Sequence, residues 1–286
     1  MRSFFNMTQV LSILEENKVD AHCHILDPVG HPYPADNPYH PKGQEVGDAH
    51  YFTQVMACYG AKHALLVGPN SGYNLDNRAM IDAIAKHPGV FKGIAVVKND
   101  CSTTELEGLR AQGVIGIAFN TSLKGVGFYR DIEPLLQRLK TLEMWAQFQV
   151  QDDQLTEVLP WIERSRVRVL IDHCGRPNLH KQAGGLSQAG FQALLQLGRS
   201  HEAVVKLSGY AKFSQEAYPF VDTRPYIDAL VGAFGLEKCV WASDWPYLKA
   251  SSRLDYGPMI KLWESQFSLS ERSQMFWKTP KKLFGF

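Results

Sequence analysis

The chain has 286 residues, 45% of them hydrophobic and 21% charged, an ordinary globular composition long enough for one large α/β barrel or two smaller domains. Lys+Arg 30 against Asp+Glu 29 leaves a formal charge of +1, so there is no global field to gather nucleic acid or anionic lipid, and no apolar run reaches bilayer length. Five scattered cysteines without a CxxC unit fit reduced thiols, and the first residues lack a signal-peptide core; both features point to the cytoplasm.

Residues 8–17 are expected to form a short helix with Val10, Leu11, Ile13 and Leu14 as its apolar positions, inside an N-terminal helical extension over 1–18. The stretch Val19-Asp20-Ala21-His22-Cys23-His24 then alternates as a strand, which places His22 and His24 on one face and turns Cys23 away. Pro28, Pro32, Pro34, Pro38 and Pro41 exclude a regular element after it, and a loop of that length suits the wall of a site. A helix over 48–59 carries Phe52, Val55, Met56 and Tyr59 and ends at Gly60. The strand 64–67, the polar turn Pro69-Asn70-Ser71-Gly72 and a helix over 76–87 follow. The unit repeats with a strand over 91–97, a helix over 103–111 and a strand over 114–119.

Asp131 is expected to cap a helix running to about Leu142, with Leu135, Leu136 and Leu139 as its buried face. Strands over 144–150 and 167–171 flank a helix over 154–164, and the second of these strands is apolar until it reaches Asp172-His173-Cys174-Gly175. A loop over 177–190 and a helix over 191–200 lead to a strand over 203–208, a helix over 225–234 and a last short strand over 239–242. Ser268 and Glu271 have the spacing of a capping box, opening a final helix with Met275, Phe276 and Trp277 that Pro280 is expected to stop. Eight strands, each followed by helical material, favour a closed (β/α)8 TIM barrel, one domain over 1–286.

In such a barrel the carboxyl ends of all strands face one mouth. His22 and His24 end the first strand, His173 the sixth and Asp244 the eighth, so residues remote in sequence converge on one pocket. Three imidazoles and a carboxylate admit two chemistries. They could hold zinc with room for water, or, without metal, Asp244 could take a proton from water while the imidazoles orient that water and polarise a carbonyl. Cys174 is expected to point away from His173, leaving no thiol nucleophile, and Gly125-Val126-Gly127 lacks the context of a phosphate loop. Trp245 either lines the mouth or seals the strand end, and Arg176 either steers an acid or pairs with a carboxylate.

The motifs DAHCH at 20–24, IDHCGRP at 171–177 and WASDWP at 241–246 closely resemble the amidohydrolase superfamily. The resemblance is to its branch containing 2-pyrone-4,6-dicarboxylate lactonase and related sugar and muconolactone hydrolases, and it runs to the terminal PKKLF at 280–284. It implies an amidohydrolase-like barrel in which His22, His24, His173 and Asp244 form the polar centre, with Asp244 as the base for hydrolytic water. The fourth strand ends in Ala118-Phe119-Asn120 without a bridging lysine or glutamate, and the fifth has Gln147 and Gln149 where two-metal relatives place histidine. A binuclear centre would be short of ligands, and the branch includes enzymes that work without a divalent metal; the expectation is no metal and no other cofactor. By the same resemblance, Ala118 and Lys212 stand where a dicarboxylate-specific member is expected to carry arginines, which disfavours that substrate. Ser71, Asn120, Tyr210, Lys212 and Arg176 are the candidate substrate contacts.

The expected function is hydrolysis of a small lactone from sugar or aromatic catabolism. The expected partner is a small-molecule lactone or acid, with neither nucleic acid nor membrane, and a homo-oligomer is left open. A mononuclear zinc-dependent hydrolase or decarboxylase of the same superfamily is the alternative, followed by a nonenzymatic small-ligand binding protein.

Overall fold

Parallel pairing of consecutive strands demands a crossover after each one, and the alternating β and α periods of this sequence supply it. The computed structural model describes residues 12–37, 39–180 and 184–286. Its eight strands are β1 (Lys18–Cys23), β2 (Ala61–Val67), β3 (Phe91–Ala95), β4 (Val114–Asn120), β5 (Trp145–Gln149), β6 (Arg168–Ile171), β7 (Ala203–Leu207) and β8 (Cys239–Trp241). They lie in sequence order, each paired parallel with the next. The helices outside them are α1 (Ala49–Cys58), α2 (Arg78–Lys86), α3 (Thr103–Ala111), α4 (Thr121–Lys124), α5 (Glu133–Thr141), α6 (Gln154–Ser165), α7 (Ala189–Ser200) and α8 (Arg224–Phe234). After β8 come α9 (Tyr256–Gln266), α10 (Leu269–Arg272) and α11 (Thr279–Phe284). This is a (β/α)8 barrel.

The ends of the sheet meet at β1 and the segment after β8. Asp244 N donates to the His22 carbonyl at 2.8 Å and His24 N to the Trp245 carbonyl at 2.9 Å. The Asp20 carboxylate fastens the same seam, accepting from Ser243 N (2.9 Å), His22 N (3.2 Å) and the Tyr256 hydroxyl (2.9 Å). Inside the barrel Val19, Ala21, Leu65, Ile94, Leu170, Val204 and Val240 form one apolar cluster, while a larger cluster fills the layer between strands and helices. Phe284 of α11 joins the inner cluster and meets Trp145 edge-on at 6.1 Å, closing the end opposite the site. Burying such a side chain contributes roughly 1.5–3 kcal/mol.

Local chemistry sets the helix starts. Capping boxes at Ser102/Glu105 and Ser268/Glu271 open α3 and α10. Asp131 caps nothing: α5 starts at Glu133 with Pro134 in its first turn, where the fixed proline φ pre-forms the helix. Pro280 does not stop the final helix either. It sits in the first turn of α11, where its missing N–H costs little, after a π-helical turn over Ser273–Lys278. Of the expected helix over 8–17, and of the wider 1–18 extension, residues 1–11 lie outside the described residues. Ile13 to Glu15 form a turn with Ile13 buried, and Lys18 already belongs to β1. The helix α9, unforeseen in the sequence, buries Tyr256, Met259, Ile260 and Trp263.

Candidate active site

The pairing of β1 with β2 is irregular between Asp20 and Cys23. An irregularity of this kind re-aims side chains. Cys23 turns outward, its Sγ on the Leu65 carbonyl and its side chain in the outer core, while the rings of His22 and His24 lie 5.0 Å apart over the barrel mouth. His173 follows β6 in a left-handed backbone conformation (φ 50°), and Asp244 follows β8 in another (φ 64°). Such conformations cost about 1–3 kcal/mol each in non-glycine residues and are held by their surroundings. At His173 one such surrounding is Gly209 (φ 67°), where an added Cβ would come within 2.7 Å of the histidine Cβ.

All three imidazoles have their Nδ1 atoms engaged away from the centre. His24 Nδ1 donates to the Val67 carbonyl (2.8 Å), His173 Nδ1 meets Ser208 Oγ (3.0 Å), and His22 Nδ1 lies 3.1 Å from Asp172 Oδ1. The three Nε2 atoms therefore converge on Asp244 Oδ1, at 3.8 Å from His22, 3.9 Å from His24 and 3.6 Å from His173. These spans are too long for direct hydrogen bonds and too short for a water on the line between the atoms, so a water touching Asp244 and the imidazoles would sit to the side of them. Burial pushes the histidines toward their neutral forms, His22 and His173 well below the ordinary value. Burial also opposes ionisation of Asp244, but the Lys212 ammonium on its Oδ2 (2.9 Å), aided by His173 and His24, brings the carboxyl below its ordinary value.

A second polar layer lies beneath. Lys206, 0% exposed on β7, places Nζ 3.1 Å from Asp172 Oδ1, 2.5 Å from Gln147 Oε1 and 3.3 Å from His22 Nδ1. Gln147 Nε2 completes the layer by donating to Asp172 Oδ2 at 2.9 Å. Reading the sequence assigned no role to Lys206, Asp172 or Ser208. The available signal was a single charge inside the apolar run Ala-Val-Val-Lys-Leu of β7.

Above the histidines lies a cavity of about 390 Å³ whose walls include Ser71, Asn120, Tyr210, Lys212 and Arg176. Asn120 accepts from Leu123 N and Ser122 Oγ, so its carbonyl oxygen caps α4. The Tyr210 hydroxyl reaches the Leu207 carbonyl at 3.5 Å, inside the protein, so Tyr210 offers the pocket wall and not its hydroxyl. Arg176 Nη1 donates to Ser122 Oγ (3.1 Å), while its buried Nε has no partner among the described residues. Ala118 lies in the same wall. Trp245 seals the strand end, stacked on Phe52 with ring centroids 4.5 Å apart. The Cys174 thiol is turned to the Ser208 carbonyl, and all five cysteines are free. Among the described residues no helix is long and apolar enough to cross a membrane.

The donor set also fits a metal by type. His22, His173 and Asp244 each offer a ligand atom, all within 4.8 Å of one another, and imidazole with carboxylate is a common zinc environment.

The chain is 26% identical over 276 residues to a 4-sulfomuconolactone hydrolase of Rhizobium radiobacter, covering 93% of this chain and 89% of that protein. It is 27% identical over 256 residues to a 2-pyrone-4,6-dicarboxylate hydrolase of Comamonas testosteroni, covering 82% and 78% respectively. A crystal structure of a probable 2-pyrone-4,6-dicarboxylic acid hydrolase from Acinetobacter baumannii, with citric acid bound, superposes with a TM-score of 0.82 at 25% identity, over 94% of this chain and 100% of that one. A family model described as amidohydrolase matches residues 19–286, nearly the whole barrel, and the chain belongs to the amidohydrolase family.

Proposed function

We propose that this protein opens a small lactone by attack of a water that Asp244 activates, without an obligatory metal. The observation that carries the reading is Asp244 Oδ1 facing three imidazole Nε2 atoms at 3.6–3.9 Å, a cluster close enough for one water beside it to touch the carboxylate and imidazoles together. Asp244 takes one proton of the water as its oxygen bonds to the lactone carbonyl carbon. Imidazole N–H groups stabilise the oxyanion that forms. The ring C–O bond then breaks, and the proton held by Asp244 passes to the leaving oxygen, giving a ring-opened hydroxy acid. The relatives named for lactone hydrolysis support the reaction class.

Charge supports the metal-free form. Asp172 and Asp244 are each paired with an ammonium, Lys206 and Lys212, so these two carboxylates are already neutralised and a divalent ion would add two more positive charges. Lys212 and Arg176, whose Nε has no partner among the described residues, favour an acidic group on the substrate, whereas Ala118 offers no second clamp. The expected preference is a monoacidic or strongly hydroxylated lactone over 2-pyrone-4,6-dicarboxylate. A panel of neutral sugar lactones, monoacidic lactones and that dicarboxylate, followed by proton release, tests this. Superior turnover of the dicarboxylate overturns the preference, and binding without turnover across the panel overturns the enzyme.

The proximity of His22, His173 and Asp244 favours a second reading, zinc-dependent hydrolysis or decarboxylation. Those residues, with His24, would hold the ion, which would supply Lewis-acid polarisation and a water acidic near neutral pH. Turnover measured before and after chelation separates the readings. We predict that it survives; a stoichiometric metal whose removal abolishes activity and whose return restores it selects the second reading.

A further inference from the structure

We propose that Lys206 is a positioning residue that fixes the tautomer of His22, placing its proton on Nε2, so that His22 enters the pocket as a hydrogen-bond donor while His24 enters it as an acceptor. An ammonium has three N–H donors and no acceptor. At 0% exposure no solvent serves them, and three groups meet Lys206 Nζ: Gln147 Oε1 at 2.5 Å, Asp172 Oδ1 at 3.1 Å and His22 Nδ1 at 3.3 Å. The Gln147 amide is fixed by the same network, since its oxygen faces the ammonium and its nitrogen faces Asp172 Oδ2.

A proton on His22 Nδ1 could reach Asp172 Oδ1 at 3.1 Å, an oxygen that already accepts from Lys206, but it would confront the third ammonium hydrogen and leave that hydrogen buried without an acceptor, a penalty of the kind that buried polar groups avoid. A bare Nδ1 completes the ammonium's three bonds and sends the single proton of the neutral imidazole to Nε2, on the pocket side. His24 has the opposite arrangement. The Val67 carbonyl can only accept, so His24 Nδ1 carries the proton and Nε2 is bare. Two histidines two residues apart on one strand thereby supply one donor and one acceptor to the same water and carbonyl.

The assignment also bears on zinc. A metal takes the lone pair of an imidazole nitrogen, usually with the other nitrogen donating to a carboxylate or carbonyl. His24 meets that description; His22 does so only if its Nδ1 carries the proton and donates to Asp172. Lys206 opposes that state, so removing its ammonium should convert His22 from a donor into a ligand.

The test is nitrogen NMR of the full chain labelled with 15N-histidine, with His22→Gln to identify the His22 signals. Bare and protonated ring nitrogens resonate apart, so once His22→Gln has identified the signals the tautomer is read in the unmodified protein, whether or not Lys206→Met folds. The expected result is a proton on His22 Nε2, moving to Nδ1 in Lys206→Met. That variant should bind added zinc ion more tightly by calorimetry. It should also lose lactone turnover about 10- to 100-fold, the usual effect of removing a group that orients a site histidine. A proton on Nδ1 in the unmodified protein overturns the proposal, as does an unchanged His22 tautomer in folded Lys206→Met. The inference rests on the lactonase reading only for its effect on turnover: the expected spectra with no lactone turned over would sink that reading and leave the role of Lys206 standing.

Discussion

The two layers of the site hold the same pair of charges and treat them differently. In the lower layer both oxygens of Asp172 are engaged, Oδ1 by the Lys206 ammonium and Oδ2 by the Gln147 amide, and Lys206 is out of reach of solvent. In the upper layer Asp244 receives Lys212 on Oδ2 alone, its Oδ1 points at three nitrogens beyond bonding distance, and the Lys212 side chain is 27% exposed. A carboxylate with both oxygens engaged stabilises a shape, whereas one with an open oxygen in a strained backbone is available for proton transfer. The difference teaches that a buried Asp–Lys pair is not by itself a catalytic signature; the unfilled half of the carboxylate is.

Three substitutions break or sharpen the contrast, in descending order of effect. Asp244→Asn removes the proton acceptor and should lower lactone turnover by about 10²- to 10⁴-fold. Its thermal unfolding midpoint should stay close to that of the parent protein. Wild-type-like turnover by a folded Asp244→Asn protein would remove Asp244 as the base.

Asp172→Leu should act chiefly on stability, because it strands the Lys206 ammonium in the interior. The expected loss is about 3–5 kcal/mol, read by urea unfolding. If Asp172→Leu is as stable as the parent while Asp244→Asn is not, the two layers have been assigned the wrong way round.

Lys212→Ala has the smallest effect and tests the upper pair. A carboxylate base works when ionised, so turnover falls as pH drops through its pKa. Lys212 holds that pKa below the ordinary carboxylate value, so its removal should shift the acid limb of the pH–rate profile to higher pH. KM for acidic lactones should rise by about tenfold or more, from the roughly 1.5–3 kcal/mol of a hydrogen bond to a charged group, with neutral lactones less affected. An unmoved acid limb, with equal changes for acidic and neutral lactones, would show that Lys212 neither tunes Asp244 nor binds the acid.

Periodicity made much of this readable in the chain itself. Eight apolar runs separated by helical periods count out the barrel, and the barrel forces His22, His24, His173 and Asp244 to one mouth. The lower layer was out of reach for a geometric reason. Gln147, Asp172 and Lys206 come from or just after three adjacent strands, and they meet because Trp145 pairs with Arg168 and Val169 with Ala203, a stagger that local sequence does not encode. Residue type gives no rotamer, so the turn of the Tyr210 hydroxyl to the Leu207 carbonyl is not legible in the chain, and at Asp131 the competing helix start is Pro134. Residues 12–17 deviate as well: the apolar pattern predicts helix there, and Ile13 to Glu15 form a turn.

The seam between β1 and the end of β8 joins Asp20 to Ser243, 223 residues apart, and the proposed chemistry sits directly on it. Closing so long a stretch of chain carries a large entropic cost that nearby contacts cannot share. A species with seven strands paired and the eighth undocked keeps most of its secondary structure yet lacks the aspartate beside the histidines. During refolding, recovery of circular dichroism should therefore run ahead of recovery of turnover, and the interval between them times the closing of the ring.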